Sequence, residues 1–499
     1  MHIARLALVV LAPLPTATAQ LFVDGTANLP AGPANQQDTE QVDFADVDLD
    51  GDWDAGLANG GDSGSGQNQL WINQGGAQGG VLGVFADATA ARFPTVSESS
   101  RDIEFADIDG DGDQDVATAG NSQKANQPSR FWVNVGLAQA GTLGYFADET
   151  AARYVGLGGP GSSVAPALVL PGGGFVDWSS DVDFADLDRD GDLDLVHSSY
   201  GSAFGGHVPT RLFLNDGAGY FGEWNPSGFQ LAGANIANGN PALWAEGLQQ
   251  ANTTDTTGAF ADIATSAVDV DAADLDGDLD IDLILGNRSG SARCFSNRIA
   301  ETGALVFRDY TALALPPGAV AGALGFEQEL GDLDGDLDLD LYGLNWKFYF
   351  DAVYTNQGDG TYDVGESLTG SDSDEEEADF IDFDHDGDLD VYVANFAGTD
   401  ILYENTGAGP AFGLVKLTTQ QSGLSFTSSS ARDADVADVD GDGDDDVLST
   451  MRQSSPNRLA LNTTGRPDVT APSIGATSPV AGGAASPAPQ WVRAHVYDN

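Results

Sequence analysis

Short stretches of alternating polar and apolar residues recur along the chain, and each leads into a run of aspartates. Asp43–Ala45 and Asp183–Ala185 are two such stretches, and short apolar runs such as Leu195-Val196 and Val391–Val393 follow the aspartates. Period-2 alternation and short apolar runs bounded by turn residues are strand signals. The pattern therefore predicts two strands joined by each aspartate run, in an all-β fold.

A third predicted strand ends in Asn, 23–29 residues after the first aspartate of each run. These strands end at Asn73, Asn134, Asn215, Asn297, Asn356, Asn405 and Asn462. Glycine-rich turns often follow, and a fourth strand then starts at Phe, as in Phe85–Ala90. Each repeat unit is thus predicted to hold four short strands.

The aspartate run is a nine-residue motif, numbered here as places 1 to 9, with Asp at places 1, 3, 5, 7 and 9 of all seven copies. Five of the seven copies hold Gly at place 6. The candidate metal ligands are Asp46, Asp48, Asp50, Asp52 and Asp54; Asp107, Asp109, Asp111, Asp113 and Asp115; Asp186, Asp188, Asp190, Asp192 and Asp194; Asp274, Asp276, Asp278, Asp280 and Asp282; Asp332, Asp334, Asp336, Asp338 and Asp340; Asp382, Asp384, Asp386, Asp388 and Asp390; and Asp438, Asp440, Asp442, Asp444 and Asp446.

Five carboxylates so close together repel one another, and a pair about 4 Å apart costs about 4 kcal/mol near a protein surface. A hard cation with oxygen ligands, Ca²⁺ above all, would neutralise them. We expect places 1, 3, 5 and 9 to offer side-chain oxygens and place 7 a backbone carbonyl. An EF-hand is excluded because place 12 carries no acid in any copy and strands, not helices, flank the loop.

Successive loops begin 61, 79, 88, 58, 50 and 56 residues apart, which is the spacing of a repeat architecture. Seven four-stranded units predict a seven-bladed β-propeller, whereas a linear solenoid would need polar caps that the ends lack. The seventh unit has no Phe-led strand after Asn462, but Phe22–Ala27 matches that strand at Phe, Asp, Thr and Ala. We therefore expect the N-terminal strand to complete the last blade and close the ring.

Loops such as 186–195 resemble the FG-GAP or VCBS repeats of integrin-α-type propellers and of many secreted bacterial proteins. The resemblance covers about residues 21–465. It implies a calcium-stabilised propeller used in adhesion or recognition, or as a scaffold in larger surface proteins, and it names no ligand.

The composition narrows the classes of partner and the compartment. A formal charge of −58 argues against nucleic acid and anionic membranes, while 41% hydrophobic residues argue against disorder. Residues 1–19 read as a signal peptide, so we expect a secreted or cell-surface protein. No apolar run is long enough to span a bilayer. Residues 20–465 are then the propeller.

Residues 466–499 read as a Pro-rich linker and the start of an immunoglobulin-like domain, so we expect a monomeric propeller within a longer chain. The single cysteine, Cys294, is expected to be a buried, inert thiol. The insert at 225–264, which holds Trp244, is either a partner site or a decorative loop.

Two loops are expected to bind calcium more weakly, because Leu279 and Leu337 replace Gly at place 6. Three and five residues before place 1, the chain is acidic in every copy except at Gln41. These positions are Asp43, Glu104, Asp183, Asp271, Glu329, Asp379 and Asp435, and Asp102, Asp181, Asp269, Glu327, Glu377 and Asp433. They are either satisfied locally or form a carboxylate ring on the propeller axis that takes a cation or a basic side chain.

Three functions fit the sequence: an extracellular recognition or adhesion module for a protein or glycan, with structural calcium; an enzyme acting on extracellular polysaccharide; or a passive surface scaffold. Catalysis needs converging acid, base and nucleophile groups. The sequence holds no recognisable catalytic pattern, so we predict a non-enzymatic recognition module.

Overall fold

The structure is a computed structural model that describes most of the predicted propeller and two short C-terminal segments. The described residues are 20–61, 64–120, 129–155, 179–199, 210–224, 226, 244–246, 267–288, 292–316, 325–345, 349–363, 365–407, 413–427, 430–452, 455–465, 473–477 and 494–497. The predicted signal segment and most of the insert at 225–264 lie outside these residues.

Short strands dominate these residues, as the alternation predicts. They are β1 (Phe22–Asp24), β2 (Thr39–Ala45), β3 (Asp54–Asn59), β4 (Gln69–Asn73), β5 (Phe85–Asp87), β6 (Ser100–Ala106), β7 (Asp115–Gly120), β8 (Arg130–Asn134), β9 (Phe146–Asp148), β10 (Val182–Ala185), β11 (Asp194–His197), β12 (Arg211–Leu214), β13 (Gly222–Glu223), β14 (Ala245–Glu246), β15 (Ala267–Ala273), β16 (Asp282–Asn287), β17 (Arg293–Asn297), β18 (Phe307–Asp309), β19 (Gly325–Gly331), β20 (Asp340–Asn345), β21 (Ala352–Tyr354), β22 (Glu366–Ser367), β23 (Glu375–Ile381), β24 (Asp390–Asn395), β25 (Ile401–Asn405), β26 (Leu414–Lys416), β27 (Ala431–Ala437), β28 (Asp446–Met451), β29 (Arg458–Asn462), β30 (Ser473–Thr477) and β31 (Ala494–Tyr497).

Single helical turns connect some of the strands. The α-helical turns are Thr89–Arg92, Thr150–Arg153, Ile299–Thr302, Thr311–Ala314 and Thr419–Ser422, and the 3₁₀ turns are Thr26–Asn28, Gly32–Asn35, Gly76–Gln78 and Leu424–Phe426. None of the described helices has the length and hydropathy needed to cross a membrane.

Seven sheets form the blades, and each is built from strands in chain order. Blade 1 is β2–β5, blade 2 is β6–β9, blade 3 is β10–β13, blade 4 is β15–β18 with β14 added in parallel at its outer edge, blade 5 is β19–β22, blade 6 is β23–β26, and blade 7 is β27–β29 with β1. In every blade the aspartate loop joins the first strand to the second. All seven loops therefore lie on one face of the propeller, called here the loop face.

The first strands of the blades contact one another in a closed cycle. β2 contacts β6, and the contacts continue through β10, β15, β19, β23 and β27 back to β2. The strand before each loop is therefore the innermost of its blade, and the seven blades form a ring. The predicted seven-bladed propeller is confirmed, and the solenoid is excluded.

Hydrophobic side chains pack between neighbouring blades rather than within one blade. Leu70 and Ile72 of blade 1 pack with Trp132 and Phe146 of blade 2, and six equivalent clusters fill the other blade interfaces. Both faces of the middle strands are consequently buried, so β3 is buried at all six positions. Fully burying a large apolar side chain contributes about 1.5–3 kcal/mol, so these interfaces dominate the stability.

The N-terminal strand completes blade 7. β1 pairs antiparallel with β29, so that Phe22 lies opposite Asn462 and Asp24 opposite Ala460. Phe22 is fully buried in the cluster between blades 6 and 7. The pairing covers the edge of β29 and confirms the predicted closure.

The C-terminal segment and the insert are described only in part. β30 and β31 pair with each other, and the rest of the expected immunoglobulin-like start lies outside the described residues. Within the insert, Trp244 is buried against Phe295 and Phe307, and its indole N–H donates to the Thr210 carbonyl at 2.7 Å. Trp244 is therefore a core residue and not part of a partner surface.

Ring closure predicts different effects for two neighbouring residues of β1. Phe22→Ala empties a buried site and should cost about 3–5 kcal/mol. Val23→Ala, on the exposed side of the same strand, should change stability by less than about 0.5 kcal/mol. Deleting residues 21–29 should bare β29 and cause aggregation. Denaturant unfolding and size-exclusion chromatography measure these effects, and a monomeric deletion variant with unchanged stability would contradict the closure model.

Candidate metal centres and the network between blades

The place 1 carboxylate sets the shape of each loop. In the first loop Asp46 accepts the backbone N–H of Asp50 and of Gly51, both at 2.9 Å. The carboxylates of Asp332 and Asp438 accept the equivalent N–H groups at places 5 and 6. A side chain that bonds to its own following backbone closes a tight turn without any regular structure.

Two places in every loop adopt left-handed backbone conformations. Place 4 has φ between 54° and 77°, and place 6 has φ between 68° and 99°. L-residues other than Gly, Asn and Asp pay about 1–2 kcal/mol in this region. Leu279 and Leu337 occupy place 6 with φ of 68° and 73°, whereas Gly occupies it with φ of 90° or more in the other five loops.

Carboxylate oxygens converge inside the loops. The ligand atoms of places 1, 3 and 9 lie within 4.8 Å of one another in the second, third and fourth loops, and those of places 1, 3 and 5 do so in the first. One oxygen of place 3 is buried without a hydrogen-bond partner in six loops: Asp48, Asp109, Asp188, Asp276, Asp334 and Asp440. Buried oxygens without donors, drawn from carboxylates alone, fit a hard cation such as Ca²⁺.

In at least three loops, one oxygen of the place 7 carboxylate is bonded outside the loop. Asp113, Asp280 and Asp444 each accept a backbone N–H from the turn after the third strand, at 2.6–2.8 Å. The other oxygen of Asp113 is buried without a hydrogen-bond partner, and a backbone carbonyl as the ligand at place 7 stays a prediction.

The place 9 aspartates are the most deeply buried of the candidate ligands. All seven are between 0% and 1% exposed. One oxygen of each accepts the backbone N–H of the Asn that ends the third strand, at 2.7–2.9 Å. Burial, assisted by like charges nearby and opposed by this hydrogen bond, raises the pKa of Asp54, Asp115, Asp194 and Asp446 to about 8.

The same Asn connects each blade to the blade before it. Its side-chain N–H donates at 2.8–2.9 Å to the place 2 carbonyl of the preceding loop. The donor–acceptor pairs are Asn73–Val439, Asn134–Val47, Asn215–Ile108, Asn297–Leu187, Asn356–Leu275, Asn405–Leu333 and Asn462–Phe383. The recurrence of Asn in all seven repeats is visible in the sequence, but its role is not.

Arginines cross between loops in the first half of the ring. The Arg92 guanidinium lies 2.8 Å from an Asp48 oxygen, and Arg153 lies 3.2 Å from Asp109. Arg189, at place 4 of the third loop, lies 2.7 Å from Asp280 in the fourth. These ion pairs offset part of the repulsion among the loop carboxylates.

Two potentially reactive groups are enclosed in the core. The Cys294 thiol is fully buried, as predicted, and burial raises its pKa. Ser129 Oγ lies 2.8 Å from His197 Nε2 across the interface of blades 2 and 3, but His197 is buried and desolvation lowers its pKa to about 3. A substrate has no access to either group in this arrangement.

Comparison with known sequences assigns the repeat. The model of the FG-GAP-like repeat family matches residues 382–449, which run from the sixth aspartate loop into β28 of the seventh blade. The same loop, frame and Asn contacts recur in all seven blades. The protein is an FG-GAP-repeat propeller. A search of curated proteins gave no significant match.

Solved structures with a similar fold have low sequence identity. An Agrocybe aegerita lectin that recognises non-reducing terminal N-acetylglucosamine is 17% identical over 86% of this chain and 88% of its own, with a TM-score of 0.41. BBS1N in complex with ARL6DN is 11% identical over 89% and 98%, with a TM-score of 0.46. The exotype rhamnogalacturonan lyase YesX is 14% identical over 86% and 72%, with a TM-score of 0.36. At these values none of them bears on the ligand or activity of this propeller.

The loop geometry of the FG-GAP propeller also refines the expectation of two weaker loops. That expectation assumed a left-handed backbone at place 6, and the assumption is confirmed, because Leu279 and Leu337 both have positive φ there. However, Leu49, Arg189 and His385 are left-handed at place 4, so the first, third and sixth loops carry a similar strain. The relative calcium affinities stay a prediction.

Substitution at place 6 should reverse the ordinary ranking of Ala and Gly. Ala is normally the more stable of the two by about 0.5–1 kcal/mol. At Leu279 and Leu337, Gly should exceed Ala by about 1 kcal/mol, because only Gly adopts this φ without strain. Denaturant unfolding of the four single variants measures the difference, and Ala variants as stable as the Gly variants would refute the strain.

Without calcium, the propeller should lose stability as pH rises. The pKa is about 8 in the folded chain for Asp54, Asp115, Asp194 and Asp446, about 7 for Asp340 and about 9 for Asp390, against about 3.9 unfolded. Their contribution is therefore complete below about pH 4 and is lost as pH rises through about 8. His197, whose pKa is lowered on folding, makes stability increase as pH rises toward about 6.5. It is a single residue, whereas several place 9 aspartates contribute in the other direction.

Melting temperatures measured in chelator at pH 5 to 8 test this dependence. Asp54→Asn keeps an acceptor for the Asn73 N–H and should flatten the profile, whereas the exposed Asp87→Asn should not. A chelated protein that melts higher at pH 8 than at pH 5 would contradict the assignment.

Proposed function

We propose that the protein is a secreted, calcium-binding FG-GAP propeller that acts as an extracellular recognition or adhesion module, with calcium in a structural role. One observation carries the proposal. In every blade the buried place 9 aspartate is bonded to the Asn that also bonds the preceding loop. A cation held at places 1, 3, 5 and 9 would thereby tie the loop, the third strand and the neighbouring blade together.

The chemistry of the loops supports calcium. The donors at places 1, 3, 5 and 9 are all carboxylate oxygens, and several of them are buried without partners. Calcium would supply charge neutralisation and a fixed turn, and no reaction follows from this role. Extracellular calcium concentrations also suit a secreted protein with many moderate sites.

The face opposite the loops is the better candidate for recognition. The loop face repeats one motif seven times, whereas connections on the opposite face vary widely. Those between second and third strands range from five residues (396–400) to thirteen (198–210). Variable loops on a rigid scaffold are where proteins place binding residues. Tyr349 and Phe350, in the blade 5 connection, are nearly half exposed there, and aromatic side chains of this kind serve glycan or protein ligands.

Calcium should raise the melting temperature by many degrees over chelator, and Mg²⁺ at the same concentration should not. Binding to the folded state alone adds about 2.7 kcal/mol per site at a hundredfold excess over Kd. Asp334→Ala, which removes a place 3 ligand, should reduce the calcium effect by about one site, whereas Asp359→Ala, at an exposed acid of the same blade, should not. Equal melting with calcium and chelator would reject the structural role.

Recognition is tested with the calcium-loaded protein on a glycan array and in pull-downs from extracellular material. Binding that disappears with chelator and with substitutions at Tyr349 and Phe350, but survives loop-face substitutions such as Leu49→Ser, supports the proposal. Binding that is lost on substitution of the loop face instead would contradict a recognition site on the opposite face.

A further inference from the structure

A cavity of about 240 Å³ lies on the propeller axis, and acidic side chains line it. Six of the predicted acids five residues before the loops reach it: Asp102, Asp181, Asp269, Glu327, Glu377 and Asp433. Glu104, Asp183, Asp271 and Glu329, three residues before their loops, line it as well. The predicted axial ring is therefore present, one strand per blade.

Five of the six acids of the first group, all but Glu377, accept a backbone N–H from the next blade. Asp102 accepts the backbone N–H of Val182 at 2.6 Å, Asp181 that of Val270 at 2.6 Å, and Glu327 that of Ala378 at 3.1 Å. Gln41 takes the same place in blade 1 and accepts the N–H of Ile103. One oxygen of each of these acids is thus bonded within the ring, which is one of the two alternatives that the sequence left open.

The remaining oxygens are the observation that points to a ligand. The second oxygen of Asp102 and that of Glu327 are buried and accept no hydrogen bond, and both side chains are at least 96% buried. Each also lies within hydrogen-bond reach of another carboxyl group of the ring, Asp181 for Asp102 and Glu377 for Glu327, when that neighbour carries a proton. Deeper in the ring, one oxygen each of Asp271 and Asp379 is in the same state.

The mouth of the cavity, the end of the axis that lies away from the loop face, is lined by acidic, basic and apolar side chains rather than by acids alone. Irregularities in the backbone pairing explain this difference. The first strands of six blades shift register around the residue that lies six positions before place 1. Such a bulge turns the extra side chain toward the same side as its neighbour. Glu40, Arg101, Phe326, Glu376 and Arg432 therefore join the lining, at the end of the strands that lies away from the loop face.

Arg432 forms ion pairs with acids at the mouth of the cavity. Arg432 lies 3.1 Å from Glu376 and 3.6 Å from Glu40, both at the mouth. Of the described residues that line the cavity, only Arg101 and Arg432 are cationic. Burial first, and repulsion among the acids second, raise the pKa of Asp181 and Asp271. Either protons or a cation must offset this charge.

We propose that the axial cavity is a separate binding site for a hydrated divalent metal cation, Ca²⁺ or one of similar size, held by the free oxygens of Asp102 and Glu327 among the other carboxylates that line the cavity. A metal ion with its water shell presents donors and positive charge in all directions. An inserted lysine or arginine has donors on one side only, and acids surround the axis. The site is distinct from the seven loops and does not depend on their occupancy.

Crystals of the unmodified protein grown with Sr²⁺ locate the ion directly. An anomalous peak on the axis, within direct or water-bridged reach of Asp102 and Glu327, is expected in addition to any peaks at the loops. Water alone in the cavity would overturn the proposal and assign the charge compensation to shared protons. If the aspartate loops bind no ion, the axial peak should still be present. The experiment therefore distinguishes the proposed loop sites from the proposed axial site.

Variants in solution give an independent count by native mass spectrometry in Ca²⁺. The triple variant Asp102→Asn, Glu327→Gln, Asp433→Asn keeps acceptors for the backbone N–H groups and should bind at least one ion fewer than the parent. The matched control Asp24→Asn, Asp87→Asn, Asp359→Asn removes the same charge from exposed acids and should bind as many as the parent. Equal counts for the parent and the axial variant would refute the site.

Discussion

The hydrogen bond between the place 9 carboxylate and the Asn backbone underlies the rest of the ring. It buries a carboxyl group completely at the start of the second strand of each blade, and such a group is stable there only with hydrogen-bond donors and with either a proton or a counter-charge. The same Asn carries its side chain across to the preceding loop. In each blade the place 9 aspartate and this Asn therefore connect the proposed metal loop, the third strand and the preceding blade.

Hydrophobic packing supplies most of the stability, but it does not by itself define the angle between blades. Aliphatic and aromatic side chains at each interface can slide over one another at small cost, as cores of similar volume and pattern show. The Asn contacts and the inter-blade bonds of the axial carboxylates are directional, and both run from one blade to its neighbour. They fix the spacing on the loop face and on the axis, respectively.

The two faces of the propeller follow different constraints. On the loop face, the turn closed by the place 1 carboxylate requires a fixed spacing of backbone groups, and the loop length and the two left-handed positions are the same in each copy. On the opposite face, connections are limited only by the distance between strand ends, and their lengths differ from blade to blade. Because of this freedom we propose recognition on the opposite face and metal binding on the loop face.

The sequence by itself determined the number of blades, the strand order, the frame of the aspartate loops and the closure by Phe22–Asp24. All of these depend on local periodicity or on matching one repeat with another. Only the tertiary structure decided the role of Asn405 and its equivalents, the burial of Trp244, and the bulges that bring Glu40 and Arg432 to the axial mouth. The acceptor of each Asn side chain lies in another blade, 72 residues away for Asn405, and a bulge shifts register without leaving a mark in the alternation. Contacts between distant segments and departures from regular pairing are set by how the blades pack around the axis, and no short stretch of residues encodes them.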